Sequence, residues 1–211
     1  TKLGYINCHP SLLPQYRGAA PYFHIVNNGE TISGVTLHFI DENFDTGDIV
    51  YREKFKLSPF ETMGSIFNRT NYMLANALVK VLTMAEKNEL KRFPQPDGDY
   101  IKAPKVNGNF RINWLKDTGL HIERLVRACN PFYNVFTLFR ETRFKIINAS
   151  NIEKNHNLEP GKIYKATKDE LLITTIDGFI NVKFLQLDTW GYLSTKEFYY
   201  MFSPKEGEYF K

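Results

Sequence analysis

An asparagine and a histidine two positions apart end the first apolar run of the chain, and an aspartate follows later in a polar loop. Asn7 and His9 close the run from Gly4 to Cys8, and side chains two apart in a strand point to the same side. An amide and an imidazole at one strand end could hydrogen-bond a small molecule and exchange protons with it. Each residue alone is ordinary: His9 as a structural hydrogen-bonder, and Asn7 and Asp45 as turn residues.

The loop after this strand suits a small-molecule site. Pro10 and Pro14 restrict its backbone, which lowers the ordering cost of binding. Arg17 and Gly18 then place a fixed positive charge beside a flexible backbone. Ligands of open α/β sheets bind at the carboxyl ends of strands, where this loop begins. Acidic residues at positions 41, 42, 45 and 48 do not match the spacing of an EF-hand, so we expect no metal.

Three blocks, in order, resemble the signature of the folate-dependent formyltransferases. They are NCHPSLLPQYRG at 7–18, GVTLH at 34–38 and DTGDI at 45–49. His9 and Asp45 lie 36 positions apart, as the family pattern requires. The family includes methionyl-tRNA, glycinamide ribonucleotide and sugar N-formyltransferases. RINW at 111–114, RACNP at 127–131 and the C-terminal tail resemble the linker and C-terminal domain of the tRNA enzymes and some sugar enzymes.

The resemblance implies a reaction and roles for three residues. The donor would be 10-formyltetrahydrofolate, a cosubstrate, and the acceptor a primary amine. Asn7 would donate an N–H to the developing oxyanion, and His9 would take the proton of the amine. Asp45 would orient His9 and help move a proton to the departing folate nitrogen, for which a raised pKa would be useful.

The resemblance also implies which loops hold the two substrates. Arg17 and Gly18 are expected at the acceptor. The residues expected at the folate come from two loops and are Ser11, Leu12, Leu13, Pro14, Ile40, Asp41, Glu42, Asn43 and Phe44.

Periodicity and resemblance together predict an α/β chain with two domains. Residues 1–92 alternate strands and helices, as expected for the C-terminal part of a Rossmann-like formyltransferase catalytic domain. Residues 93–112 lack periodicity and predict a linker. Residues 113–211 contain short strands between turns and predict a small, closed OB-like β-barrel domain. A long helix is predicted to start after Ser58, with Glu61 completing a capping box, and to run to about Leu90.

The start of the chain departs from the family pattern. A strand-like run begins at Leu3, whereas family members carry roughly half of a Rossmann-like domain before the Asn-x-His strand. We therefore expect a fragment with an incomplete folate pocket, which binds folate poorly and is inactive as it stands.

Composition and charge limit the binding partners and the cellular location that we expect. Residues 1–109 hold 12 Lys+Arg against 11 Asp+Glu, and residues 110–211 hold 15 against 12, a weaker bias than phosphate-binding proteins usually show. Cys8 and Cys129 are too few for a disulfide framework and indicate reduced thiols. Neither a signal peptide nor an apolar run of membrane-spanning length occurs. We expect a cytoplasmic protein without membrane contact.

The acceptor is the open question. Pro10 and His38 resemble the sugar and purine-pathway enzymes, whereas the tRNA enzymes tend to have a small residue and a methionine there. Ala19, Ala20 and Pro21 instead resemble the tRNA enzymes. The purine enzyme lacks a C-terminal barrel, and a formyltetrahydrofolate hydrolase, which shares the three residues, stays open. We favour a nucleotide-linked amino sugar as acceptor, with initiator methionyl-tRNA as the alternative.

The C-terminal domain leaves its partner open. OB-like folds can bind tRNA, or the domain could form a homodimer. We interpret its aromatic residues as core and surface filling rather than a base-stacking platform, because strands favour aromatics. Alternating lysines at 162, 165 and 168 indicate a solvated strand face. A binding module without turnover is the non-enzyme hypothesis. The aromatic residues are Trp190, Tyr192, Tyr199 and Tyr200.

Overall fold

The computed structural model describes residues 4–187 and 191–211, which form two compact units, Thr1–Val106 and Asn107–Lys211. Trp190 lies outside the described residues. The described helices are α1 Pro21–Asn27, α2 Met63–Glu86, α3 Gly119–Cys129 and α4 Thr195–Phe202. The described strands are β1 Ile6–His9, β2 Ile32–Phe39, β3 Ile49–Lys56, β4 Asn109–Arg111, β5 Asn134–Phe139, β6 Thr142–Glu153, β7 Ile163–Ala166, β8 Leu171–Thr174, β9 Gly178–Leu187 and β10 Tyr192–Ser194.

A three-stranded antiparallel sheet forms the centre of the first unit. The order is β1-β2-β3, so β2 is the central strand, and its side chains are buried along almost its whole length. Helix α2 packs on one face, where apolar side chains of the sheet meet Ala77 and Val81 of the helix. The α/β class predicted from the sequence is confirmed. The other face carries the polar side chains of the strand ends.

Helix α2 begins later than the sequence predicted. Thr62 is its N-cap, accepting a hydrogen bond from the Ser65 N–H at 3.1 Å, while the Ser65 hydroxyl accepts from the Thr62 N–H at 2.9 Å. This reciprocal cap replaces the predicted one at Ser58, whose hydroxyl only accepts from the Phe60 N–H at 3.2 Å. The helix ends at Glu86.

The second unit is built on a twisted sheet with the strand path β4-β5-β6-β9-β8-β7, and β10 pairs with β9. Phenylalanine side chains from β5, β6 and α4 pack edge-to-face in its core, among them Phe139, Phe144 and Phe198. The closed barrel predicted from the sequence is corrected to an open path, because no ladder joins the end strands among the described residues. Tyr209 and Phe210 make isolated bridges to Lys162 and Phe139 instead.

Side-chain caps start two helices of the second unit. Thr118 caps α3 by accepting from the His121 N–H at 3.1 Å. Tyr199 and Tyr200, which were interpreted from the sequence as strand aromatics, lie in α4 instead. Ser194 and Glu197 form a capping box at its start, which favours the helix locally.

The two cysteines are free thiols. Cys129 is buried, and burial raises the pKa of its thiol to about 12, while burial also raises the pKa of Cys8. Both therefore stay protonated near neutral pH. Among the described residues, no helix combines the length and the apolar character that crossing a membrane requires.

Candidate active site

The strand register brings the polar residues of the sheet onto one face. Asn7 pairs with His38 and His9 pairs with Thr36 between β1 and β2. Residues directly opposite in an antiparallel ladder share a face, so the two histidines and the amide point away from the α2 core. The prediction that Asn7 and His9 share a side is confirmed.

Asp45 is the point at which these side chains meet. Its Oδ1 accepts a hydrogen bond from Asn7 Nδ2 at 3.1 Å, and the ring nitrogens His38 Nε2 and His9 Nδ1 lie 3.5 and 3.6 Å from it. Its Oδ2 accepts from the Gly18 N–H at 2.9 Å. Asp45 has a φ of 58°, a left-handed conformation that Asp tolerates better than most residues. Asn7, His9 and Asp45, here called the triad, therefore lie together.

The contacts of His9 decide which nitrogen is free. Its Nε2 lies 2.9 Å from the carbonyl oxygen of Tyr16, which can only accept, so Nε2 carries the proton. In the neutral ring Nδ1 then holds the lone pair, and it faces Asp45. The Tyr16 carbonyl fixes the ring orientation, because the 3.6 Å between Nδ1 and the carboxylate is too long for a hydrogen bond.

The site keeps Asp45 ionised. Burial alone would raise its pKa, but His38 and His9, which are protonated at the low pH where Asp45 titrates, and the Gly18 N–H together lower that pKa to about 2. The expectation of a raised pKa for Asp45 is therefore wrong. For His9, burial lowers the pKa below its ordinary value, and the charge of Asp45 partly opposes this. A neutral imidazole beside an ionised carboxylate is thus the state near neutral pH.

His38 belongs to the site, although from the sequence it served only to compare candidate acceptors. It is buried, and its Nδ1 donates to the carbonyl of Phe39 at 2.8 Å, so its Nε2 accepts from Asn7 Nδ2 at 3.1 Å. Both hydrogens of the Asn7 amide are thereby engaged, one with His38 and one with Asp45. The signal that could have placed His38 in the site is that Thr36 and His38 lie two positions apart in one strand, as Asn7 and His9 do.

Most of the predicted folate loop after β1 is buried in its own packing. Ser11, Leu13 and Pro14 are buried, and the Ser11 hydroxyl donates to the carbonyl of Gln15 at 2.6 Å. Thr36 fastens the loop to the sheet, since its hydroxyl accepts from the Leu13 N–H at 3.1 Å. Leu12 is half-buried over Gly34, where any β-carbon would collide with it. Leu12, Leu13 and Pro14 line a cavity of about 520 Å³ with Gln15, Arg52 and Lys54.

The second predicted folate loop is open to solvent. Residues 40–44 are all exposed, and Phe44 is 91% exposed. The Asp41 carboxylate organises the loop internally, accepting from the Thr46 hydroxyl at 2.7 Å and from the Asn43 N–H at 3.2 Å. Ile40 and Glu42 share this exposure. The loop therefore lies beside the triad with its side chains free of the core.

The predicted acceptor residues are tied to the same cluster by a residue that the sequence missed. Gly18 contacts Asp45 directly, whereas Arg17 Nε and Nη2 donate to Gln95 Oε1 at 3.2 and 2.7 Å. Gln95 Nε2 donates in turn to the carbonyls of Asp45 and Gly47, both at 2.9 Å. Gln95 lies in the segment interpreted from the sequence as a linker, where the lack of periodicity hid it. Within the described residues, no group of three or more His, Cys, Asp or Glu side chains is placed to hold a metal ion.

Two family models match this chain, one in each unit. A model of the formyl transferase family matches residues 1–82, and one of the formyl transferase C-terminal domain matches residues 106–202. The chain belongs to the formyl transferase family.

Two curated relatives are methionyl-tRNA formyltransferases. The one from Acetivibrio thermocellus is 33% identical over 97% of this chain and 66% of its own length, and the one from Agathobacter rectalis is 33% identical over 99% and 67%. The chain thus spans about two thirds of the length of these relatives.

One solved structure is similar over most of the chain. It is an N-formyltransferase from Helicobacter canadensis in complex with folinic acid and dTDP-3-aminofucose, with a TM-score of 0.67 and 25% identity. The match covers 84% of this chain and 65% of that one.

Proposed function

We propose that the site transfers a formyl group from 10-formyltetrahydrofolate to the primary amine of a nucleotide-linked amino sugar. The observation that carries the proposal is the convergence of Asn7, His9 and His38 on one oxygen of Asp45, at 3.1 to 3.6 Å. Such a cluster offers a neutral base, an amide donor and a fixed negative charge within reach of one reacting carbon.

His9 is the proposed base. Its Nδ1 lone pair takes the proton that the acceptor nitrogen loses as it bonds to the formyl carbon. The imidazolium that results is stabilised by Asp45, whose carboxylate stays ionised and lies 3.6 Å away. The bond from the formyl carbon to N10 of the folate then breaks and N10 receives the proton, which leaves a formamide and tetrahydrofolate.

Asn7 is the proposed oxyanion donor. Both its amide hydrogens are engaged in the free site, so one bond must be exchanged for the bond to the oxyanion. Release of the His38 contact is the less costly exchange, because the bond to an ionised carboxylate is the stronger of the two. A single donor of this kind typically contributes about 3 kcal/mol to the transition state.

The two loops beside the triad are the proposed folate contacts. The exposed segment 40–44 offers backbone groups and the Phe44 ring to a flat heterocycle. The cavity of about 520 Å³ bordered by Leu12, Leu13 and Pro14 supports a contact on the other loop. The folinic acid bound by the Helicobacter canadensis relative supports a folate as the donor.

His38 favours the amino sugar as acceptor. It touches both Asn7 and Asp45, and a histidine at this position resembles the sugar enzymes rather than the tRNA enzymes. The relative that binds dTDP-3-aminofucose adds support for a nucleotide-linked sugar.

Methionyl-tRNA is the second candidate, favoured by the sequence relatives and by one surface. Arg111, Phe136, Lys145, Gln186 and Tyr192 lie opposite one another across five strands of the second unit. Cations interleaved with aromatic rings on a sheet suit a nucleic acid strand. The lysines at 162 and 165 do not extend this surface, because they pair with Glu159 and Glu170.

A transfer assay separates the candidates. The assay uses a longer protein that includes this chain, because the chain alone spans about two thirds of its relatives and its folate pocket is expected to be incomplete. This protein is incubated with 10-formyltetrahydrofolate and either a panel of dTDP- and UDP-linked amino sugars or charged initiator tRNA, and the formamide product is detected by mass spectrometry. We expect product with an amino sugar. Product with tRNA alone would overturn the acceptor assignment, and absence of product together with absence of folate binding would overturn the reaction.

A further inference from the structure

A segment outside the three signature blocks fastens the loops of the active site. Residues 93–103, here called the strap, run from the start of β3 to the loop after β1. At one end Phe93 exchanges two backbone hydrogen bonds with Ile49, at 2.8 and 2.9 Å. At the other end the Ala103 N–H donates to the carbonyl of Arg17 at 2.7 Å, and Ala103 accepts from the Ala20 N–H at 3.0 Å. Both ends are therefore fixed to the first unit.

Between these ends, Gln95 makes four hydrogen bonds that use its whole amide. The two N–H groups of Nε2 donate to the carbonyls of Asp45 and Gly47, and Oε1 accepts twice from the Arg17 guanidinium. An amide in this setting has no donor left for other partners. One side chain thus joins the turn that carries Asp45 to the loop that carries Arg17 and Gly18.

The turn at residues 45–47, whose carbonyls Gln95 binds, has little conformational freedom. Asp45 has a positive φ of 58°, and a β-carbon at Gly47 would lie 1.9 Å from the carbonyl oxygen of Phe39. A left-handed aspartate persists only when its surroundings hold it in place. The Gln95 donors bind the carbonyls on both sides of Thr46, which is the geometry that holds such a turn.

We propose that Gln95 is a positioning residue, which sets the place of the Asp45 carboxylate relative to His9 and the Gly18 N–H through the backbone of residues 45–47. It does not contact the reacting atoms. The inference deepens the proposed formyl transfer and rests on it for its effect on turnover, while its effect on geometry is independent of the substrate.

The two N–H groups of Gln95, rather than its carbonyl oxygen, hold the turn that carries Asp45. Gln95→Met removes all four bonds at similar volume, and Gln95→Glu keeps the acceptor for Arg17 but loses both donors. Tyr100→Phe is the matched control, because the Tyr100 hydroxyl is also hydrogen-bonded within the strap, to the carbonyls of Pro96 and Asp97 at 2.9 and 3.0 Å, without touching the Asp45 turn.

Two measurements test the proposal. In turnover with the acceptor found for the wild-type chain, Gln95→Met and Gln95→Glu should both lower kcat by about a hundredfold, with a smaller change in KM, because misplacement of a catalytic group acts on the chemical step. Tyr100→Phe should stay within a few-fold of wild type. Wild-type kcat in Gln95→Glu, or equal losses in Gln95→Met and Tyr100→Phe, would overturn the proposal.

The second measurement needs no substrate. Exchange of the Gly18 amide hydrogen, which is bonded to Asp45 Oδ2 at 2.9 Å, is followed by NMR. We expect at least tenfold faster exchange in both Gln95 variants and wild-type exchange in Tyr100→Phe, measured at a temperature where all three variants are folded. Unchanged Gly18 exchange in Gln95→Met would refute the positioning role. An inactive wild-type chain would count against the proposed function alone, since this exchange would still decide the role of Gln95.

Discussion

The active-site face of the first unit and the sheet surface of the second unit arrange polar side chains in opposite ways. In the first unit, Asn7, His9 and His38 all approach one oxygen of Asp45 from within a buried or half-buried cluster. In the second unit, the row from Arg111 to Tyr192 spreads across five strands, and each side chain meets only its neighbours. In the convergent cluster, a substitution at one residue changes the contacts of the other three. In the row across the sheet, each substitution removes only a small part of the total interaction.

The same contrast appears in the cores. The first unit has an apolar core of mainly aliphatic side chains between its sheet and α2, whereas Phe139, Phe144, Phe198 and Phe210 pack against one another in the second unit. Substitutions in the first unit should therefore act mainly on the reaction, and substitutions in the second mainly on stability. The following predictions test that division.

The largest effect is expected at the base. His9→Ala should lower kcat/KM by about 100- to 10,000-fold, since a positioned general base contributes that much. His24→Ala is a matched control, because His24 bonds the Pro104 carbonyl away from Asp45. His24→Ala should keep the free energy of unfolding within about 1 kcal/mol of wild type. His9→Ala should lower it by about 1–3 kcal/mol, because it leaves the buried Tyr16 carbonyl without its partner. Retained turnover in His9→Ala would contradict the assignment of the base.

The next effect lies in the second unit. Phe198 is fully buried and packs against Phe139 and Phe144, so Phe198→Ala should lower the free energy of unfolding by about 3–5 kcal/mol. Denaturant titration followed by circular dichroism measures this. His9 in the first unit should keep its NMR titration midpoint at temperatures where the variant is folded. A displaced midpoint would show that the division between the units is wrong.

A smaller effect concerns the charge of Asp45. Burial lowers the pKa of His9 and the Asp45 carboxylate partly opposes this, so Asp45→Asn should lower the His9 pKa further. The base then stays neutral at lower pH, and the acidic limb of the kcat/KM profile moves to lower pH while the plateau falls. NMR titration of the His9 ring checks the shift. An upward shift would contradict the electrostatic role given to Asp45.

The sequence predicted the triad because spacing and strand alternation are local properties. Asn7 and His9 are two apart in one strand, and Asp45 follows in a recognisable block. Gln95 could not be found in this way, because it reaches Asp45 across 50 positions from a segment without periodicity. The pKa of Asp45 was also beyond the sequence, since its direction depends on a balance between burial and three separate contacts.

Helices and strands with clear local signals were predicted better than the closure of the second sheet. The Thr118 cap and the strands of the first unit follow from local pattern. The start of α2 was misplaced because two capping sequences lie four residues apart, and only the cap at Thr62 is reciprocal in the folded chain. Closure of the second sheet depends on isolated bridges made by Tyr209 and Phe210, which no strand pattern marks.

The smallest effect sharpens the contrast between the two regions and bears on the acceptor. If the row on the second unit binds a phosphate backbone, Lys145→Ala should weaken tRNA binding a few-fold and reduce the slope of log affinity against log salt by about one. Turnover of a nucleotide-linked amino sugar should not change, because Lys145 lies in the second unit and the triad lies in the first. Fluorescence anisotropy with labelled tRNA at several salt concentrations measures the slope. A slope equal to that of the wild-type chain would leave the row without a role in nucleic acid binding and would favour the amino sugar further.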